Sequence, residues 1–373
     1  MREPVELRRK RILAVVHARG AVKVSSLASE LDVSAVTLRR DVEELARTGM
    51  LRRAHGVVRP MGEAEPSTPA ARGGGPSGEA GEGATVALVV PERHSYLHET
   101  LHGARTALEE AGARIALHIA PQAAGAERPQ VERALAGGAR GLLIAPRWRS
   151  AAGEEADHGW LGGLEVPTVL MERRPRPGSA LHALDTVCSD HWYGIHLAVD
   201  HLISLGHRRL VMAARNDSPT ARSIRAAFAE IAASRPEVEE WSVVLSSPNA
   251  GPGEPGTSEA APDLPSLLRE RRVTGAVLHG DEDALMLVQR MAERGILVPR
   301  DCSVVAYDDV VAAMGSISLT AVAPPRAEIG RAAAELLLHR LAHPSDGGPV
   351  RRTELLPHLV VRGSTREVPR STG

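Results

Sequence analysis

The stretch VSAVTLRRDVEELARTGMLRRAHGV, from Val33 to Val57, decides how the first part of the chain folds. Ser34 is a good helix N-cap, because its hydroxyl can accept a hydrogen bond from a backbone N–H of the first turn. Leu38, Val42 and Leu45 then recur at the i, i+4, i+7 spacing of one buried helix face, which turns Thr37, Arg39 and Arg40 away from that face. Gly49 ends the helix, and Met50 to Arg59 reads as a strand, a turn at His55-Gly56 and a second strand, with Arg52, Arg53 and Arg59 close to the turn. A helix followed by a basic hairpin suits the reading of a nucleic-acid duplex.

Upstream of this stretch, Pro4 fits a first helical position, and a helix running from Glu6 through Ile12, Val15 and Val16 stops at Gly20. Val22 to Val24 is a short extended piece, and Ser25 or Ser26 can cap a second helix through Leu27, Ala28 and Leu31. Residues 1–61 therefore make one small domain of three helices and a hairpin. Up to Met61 the chain carries thirteen Lys or Arg against seven Asp or Glu, so this segment is +6 and the remainder −7, although the whole is −1. A basic module joined to an acidic body fits phosphate binding at one end only.

These residues resemble the winged helix-turn-helix of the DeoR family, whose motif runs Val-Ser, Thr, Arg-Arg-Asp, and a helix closing on Gly before a basic His-Gly wing. Here the matching positions are Val33-Ser34, Thr37, Arg39-Arg40-Asp41, Gly49 and Arg53-Ala54-His55-Gly56, with Val57 where the family repeats the glycine. The resemblance implies operator DNA as a partner. It places Ser34, Thr37, Arg39 and Arg40 at the duplex, with the wing residues Arg52, Arg53 and His55 at the backbone.

From Gly62 to Ala84 the text becomes GEAEPSTPAARGGGPSGEAGEGA, which has too few apolar side chains to offset its ordering entropy and is expected to be a flexible linker over 62–84. After it, short apolar runs alternate with helical patterns. The runs are TVALVV at Thr85, Arg114 to Ala120, GLLIAP at Gly141, VPTVLM at Val166, RRLVMAA at Arg208, WSVVL at Trp241, GAVLHG at Gly275 and CSVVAY at Cys302. Apolar strands without polar alternation, separated by helices, imply α/β architecture with parallel sheets covered on both faces. So many units imply two lobes within 85–373, expected to be 85–190 with 308–341 and 191–307 with 342–365. Ligands of such sheets sit at strand C-terminal ends, so the loops after Val90, Ile144, Met171, Ala214 and His279 are the candidate site. SSPNAGPGEPGTSEAAPD, from Ser246, reads as a mobile insertion.

Residues 85–365 resemble the effector-binding domain of the LacI/GalR family, similar in turn to the periplasmic sugar-binding fold. The matching text includes LISLGHRR from Leu202, Gly280-Asp281, GILVPRD from Gly295, SVVAYDD from Ser303, Leu319-Thr320 and LVVRGST from Leu359. The resemblance implies a sugar or related small metabolite as effector and a homodimer as the assembly. It makes Asp281 the ligand-binding aspartate, while an Asp after GAVLHG serves equally as N-cap of the helix at Ala284. Arg225 resembles the family arginine that reaches the ligand from the second lobe, with Arg222 as its rival. Tyr96 could stack on a ring or simply pack, and Glu172 with Arg173 is either a ligand contact or a surface ion pair. Family members normally carry a hinge helix before this domain. None is present, so ligand control is expected to act through dimer geometry or linker strain.

His98-Glu99-Thr100-Leu101-His102 is a literal H-E-x-x-H, whose histidines could ligate zinc with the glutamate as general base, and His94 lies on the same stripe. The surroundings belong to a binding domain, so no metal site is expected. No P-loop, nucleophile elbow or dinucleotide fingerprint occurs, so no cofactor and no enzymatic activity are expected. Cys188 and Cys302 are too far apart in sequence to suggest a disulfide framework, and no leader or membrane-length apolar run appears, which points to a cytoplasmic protein without a membrane partner.

Overall fold

The computed structural model describes residues 8, 11–13, 15–16, 22–23, 27, 33, 37–38, 40–42, 45, 51–54, 57–60, 83–92, 96–247, 262–344 and 348–369. The chain divides into two units, residues 1–75 and 76–373. The linker expected over 62–84 and the insertion after Ser246 fall mostly outside the described residues.

In the first unit a three-stranded antiparallel sheet has the order β1 (Val22–Lys23), β3 (Val57–Pro60), β2 (Leu51–Ala54). Arg52 pairs with Arg59 and Ala54 with Val57, and the expected His55-Gly56 turn lies outside the described residues. Ile12, Val16, Leu27, Leu38, Val42 and Leu45 form the core, each at most 1% exposed. Leu38, Val42 and Leu45 thus occupy one helix face. Each such side chain contributes roughly 2 kcal/mol on burial.

The second unit holds two six-stranded sheets. The first has the order β14-β8-β7-β6-β4-β5, from Arg352–Leu355, Asp185–Ser189, Thr168–Met171, Gly141–Ile144, Thr85–Pro91 and Arg114–Ala120, and is parallel throughout. The second has the order β10-β9-β11-β12-β13-β15, from Glu240–Leu245, Arg209–Ala214, Gly275–Leu278, Ser303–Tyr307, Thr320–Ala323 and His358–Val360. It is parallel except for the β13–β15 pair. The central strands β6, β7, β8, β11, β12 and β13 are buried along their whole length, as expected of sheets covered on both faces.

Helices in chain order are α1 (Leu97–Glu110), α2 (Glu127–Ala136), α3 (Ala151–Gly162), α4 (His191–Ser204), α5 (Pro219–Ser234), α6 (Leu264–Glu270), α7 (Asp281–Glu293) and α8 (Arg326–Ala342). Ser150, Asp190, Ser218 and Asp263 cap α3, α4, α5 and α6, each side chain accepting from a backbone N–H in the first turn. Helices α1 and α8 cross at glycines. A Cβ on Gly103 would overlap the Ala327 carbonyl, and one on Gly330 the Thr100 carbonyl.

The lobe boundaries differ from the sequence expectation at the end of the chain. β13 stays in the second sheet beside β12, whereas β14 returns to the first beside β8. Thr320–Ala323 is fully buried and fills an inner position, while Arg352–Leu355 alternates exposed and partly buried residues and suits an edge. The chain therefore crosses between lobes three times: at Asp190, at Pro324-Pro325, and at Leu356-Pro357. Among the described residues no helix is long and apolar enough to cross a membrane.

Candidate DNA-binding head and ligand cleft

In the head, Arg40 is exposed and Thr37 partly so, both away from the core built on Leu38, Val42 and Leu45. Asp41 of the Arg-Arg-Asp motif is buried and accepts from Arg8 Nε at 2.5 Å. Its place in the motif is structural: it ties the helix that carries Leu38 and Val42 to the helix that carries Arg8. Arg52 and Arg53 lie on β2, opposite Arg59 and Val58. Ser34, Arg39 and His55 lie outside the described residues.

In the second unit an open cavity of about 180 Å³ lies at the C-terminal ends of the strands. Tyr96, which follows β4, lines it from the first lobe, and Arg215, His279, Asp281, Asp283 and Asp308 line it from the second. Arg173, after β7, is only 2% exposed and organises the first lobe's side. Its guanidinium donates to the Tyr96 hydroxyl (2.9 Å), the Glu172 carbonyl (2.7 Å) and the Pro146 carbonyl. Glu172 is 4% exposed and sits in the left-handed region at φ 53°. Its carboxylate accepts from the Ser189 hydroxyl at 3.0 Å, and burial raises its pKa. The surface ion pair considered for Glu172 and Arg173 is thus replaced by two buried side chains with separate partners.

Asp281 opens α7, and Gly280, not Asp281, occupies the N-cap. One oxygen of Asp281 accepts from Val311 N at 2.5 Å and Ala312 N at 3.0 Å, so the carboxylate straps down the loop after β12. Asp283 forms a two-point pair with Arg215, Nε–Oδ2 2.6 Å and Nη2–Oδ1 2.7 Å. Arg225 does not line the cavity; it donates to the carbonyls of Ala214 (3.3 Å) and Val244 (3.0 Å), closing the ends of β9 and β10. Its rival Arg222 spans the lobes, donating to Trp148 O at 3.0 Å and Arg149 O at 2.8 Å in the loop after β6.

Electrostatics follow from burial. Burial holds His279 neutral, its pKa lowered to about 4, and Nδ1 of that ring is buried with no hydrogen-bond partner among the described residues. The His191 ring, bonded through Nδ1 to the Tyr307 hydroxyl at 3.0 Å, is lowered by burial to about 3. Asp308 is raised to about 7 by burial and by the neighbouring Asp281 charge. Arg326, 6% exposed on α8, donates to the carbonyls of Asp308 and Asp309 and pairs through Nε with Glu99 at 3.1 Å.

The H-E-x-x-H segment is accounted for by that last contact. Glu99, the general base of a zinc-hydrolase reading, is the ion-pair partner of Arg326, and His98 and His102 are exposed on the same helix. His94 lies outside the described residues, and among the described residues no group of three or more His, Cys, Asp or Glu is arranged to hold a metal ion. Both cysteines are free and buried, and burial pushes the Cys302 thiol up to about 12, which leaves it unreactive.

The arrangement can bind a small polar molecule between lobes, offering carboxylates, a neutral imidazole and a tyrosine ring. Sequence reasoning named Tyr96, Glu172, Arg173 and Asp281 in or beside the cleft. It gave no role to the cavity-lining Arg215, His279 and Asp308, although the loops after Ala214 and His279 were marked as the candidate site. Asp308 stood in a quoted motif without a role.

The two units define the class of the chain: a DeoR-like helix-turn-helix domain, matched by residues 8–61, joined to a periplasmic binding protein-like domain, matched by residues 199–365. An arabinose metabolism transcriptional repressor from Geobacillus stearothermophilus is 27% identical, over 92% of this chain and 90% of its own length. A solved LacI transcriptional regulator from a Rhodococcus species superposes with TM-score 0.61 at 22% identity, covering 76% of this chain and 99% of that one. A LacI family regulator from Enterococcus faecium, solved with bound ribose, gives TM-score 0.58 at 21% identity over 76% of this chain and 100% of that one. At these identities the structural matches establish the fold.

Proposed function

We propose that this chain is a ligand-responsive transcriptional repressor of the cytoplasm, with no catalytic role. Its head binds operator DNA, its two-lobed domain binds a sugar or related small metabolite, and it works as a homodimer. The observation that carries the reading is the polar cavity at the facing strand ends of a chain whose first domain is a DeoR-like helix-turn-helix. Thr37 and Arg40, on the helix face turned from the core, together with Ser34 and Arg39, would meet the major groove, and Arg52, Arg53 and His55 the phosphates. The Geobacillus stearothermophilus relative, matched over nine-tenths of both chains, is an arabinose metabolism repressor, which makes L-arabinose the first ligand to test.

Effector binding acts by its differential affinity for the open and closed lobes, and closure alters the geometry of the paired heads. The test is a fluorescence-anisotropy titration of the full chain against DNA from upstream of its own gene, with and without L-arabinose, D-ribose and sucrose. Tight binding that one sugar weakens is the expected result. Equal affinity for that DNA and for a scrambled duplex would remove the regulator reading.

A further inference from the structure

We propose that Asp308 is a carboxylate that receives the ligand's hydroxyl or amino hydrogens in this cleft. The assignment rests on the reading of the cavity as the effector site. One oxygen of Asp281 is already committed, to the backbone N–H groups of Val311 and Ala312. Asp283 is bound at both oxygens by Arg215. Asp308 lines the same cavity, and its carboxylate accepts no hydrogen bond among the described residues.

Its backbone is equally informative. Asp308 sits at φ 96°, a conformation that L side chains rarely adopt, and Asp309 follows at φ 54°. Such strain persists only where surrounding structure over-determines it, and it gathers at ligand clamps. The surrounding structure here is Arg326, which donates to the carbonyls of both aspartates, and Arg362, which binds the Asp309 carboxylate at 2.7 and 2.9 Å. Two arginines thus hold the turn, Arg326 at its backbone and Arg362 at the Asp309 carboxylate, while the Asp308 carboxylate is left facing the cavity. Burial of that carboxyl, which pushes it to about 7, is a cost that donors on a ligand would offset. Arg326 also reaches Glu99 on α1, so a pull on Asp308 is felt by the α1–α8 pair of the first lobe.

Asp308→Gly separates function from structure, because glycine adopts this φ without strain and removes the buried carboxyl. Isothermal titration of the full-length wild type, D308G and D308N with L-arabinose, D-ribose and sucrose is the test, alongside the Tm of each ligand-free protein. The expected result is that the sugar bound by wild type binds D308G at least tenfold more weakly and D308N at an intermediate level, while the Tm of D308G equals or exceeds that of wild type. Binding to D308G within twofold of wild type would overturn the assignment and leave the effector reading intact. Lost binding accompanied by a lowered Tm would make Asp308 a structural residue and overturn it too. If none of the three sugars binds the wild type, the sugar-effector reading itself falls, and this assignment with it.

Discussion

The guanidinium of Arg222, on α5 in the second lobe, donates to the main-chain carbonyl of Trp148 in the first lobe at 3.0 Å and to that of Arg149 at 2.8 Å. The same loop is gripped from its own lobe by Arg173, through the Pro146 carbonyl. Two arginines from opposite lobes therefore hold one four-residue segment, and their hydrogen bonds depend on the lobes being close.

Removing that bridge tests whether it stabilises closure. Arg222→Ala is expected to weaken ligand binding by about tenfold, or ~1.4 kcal/mol, the scale of charge-assisted hydrogen bonds lost from one state only. Small-angle scattering of the liganded protein should show a larger radius of gyration than wild type, with Tm nearly unchanged. An unaltered Kd and radius would mean that the lobes close without this contact.

The head offers a second test. Asp41 is 4% exposed and paired with Arg8 in the small domain. Breaking a buried pair by deleting one member costs about 3 kcal/mol or more, because the other charge remains. Asp41→Ala is thus predicted to abolish DNA binding by unfolding the head, while ligand binding by the second unit persists. Retention of operator affinity in this variant would show that the pair is dispensable.

Arg40 calls for the opposite behaviour, since it is exposed and contributes nothing to the core. Arg40→Ala should leave circular dichroism and thermal unfolding intact, weaken operator binding, and lower the slope of log K against log salt by about one. A salt slope equal to that of wild type would place Arg40 away from the phosphates.

The crossing of α1 and α8 leaves no room for a methyl group at Gly330, whose Cβ would overlap the Thr100 carbonyl oxygen. Gly330→Ala must push the helices apart, at a cost of roughly 1–3 kcal/mol typical of overpacking. Denaturant unfolding should report that loss in the second unit, and a variant as stable as wild type would mean that the helix pair yields easily.

Stability should also depend on pH through two opposed groups. Asp308 has an ordinary carboxyl value of 3.8 when unfolded and about 7 when folded, so its contribution is full below 3.8 and disappears as pH rises to 7. His279 runs from 6.5 unfolded to about 4 folded, and His191 from 6.5 to about 3, so theirs is present above 6.5 and disappears as pH falls. In Asp308→Asn only the second of these slopes remains. Its Tm should climb more steeply than that of wild type between about pH 4.5 and 6.5, whereas parallel profiles would contradict the placement of Asp308.

Much of the architecture was legible because its signals are local. Continuous apolar runs such as GLLI and GAVL cannot face water on either side, and they became inner strands. The strand RTEL carried no such signal, and its pairing with β8 follows only from the position of the returning chain. The site was harder. Asp281 and Arg225 have the right residue type at recognisable positions, yet one lines the cavity while also strapping a loop, and the other closes strand ends. Which of several aspartates keeps a carboxylate without a hydrogen bond among the described residues is decided by neighbours distant in sequence, such as Arg215 for Asp283 and Arg362 for Asp309, and no linear pattern encodes it.

Of the three places where the chain passes between lobes, two carry proline, Pro324-Pro325 and Pro357, and Asp190 at the remaining one is bound through its N–H to Leu355 O beside the third. Proline fixes φ, so few torsions are left to accommodate opening. The two halves should then swing along essentially one path, and substitutions at these passages would shift ligand affinity and DNA release together without touching either partner. Variants locked permanently on or off are best sought there.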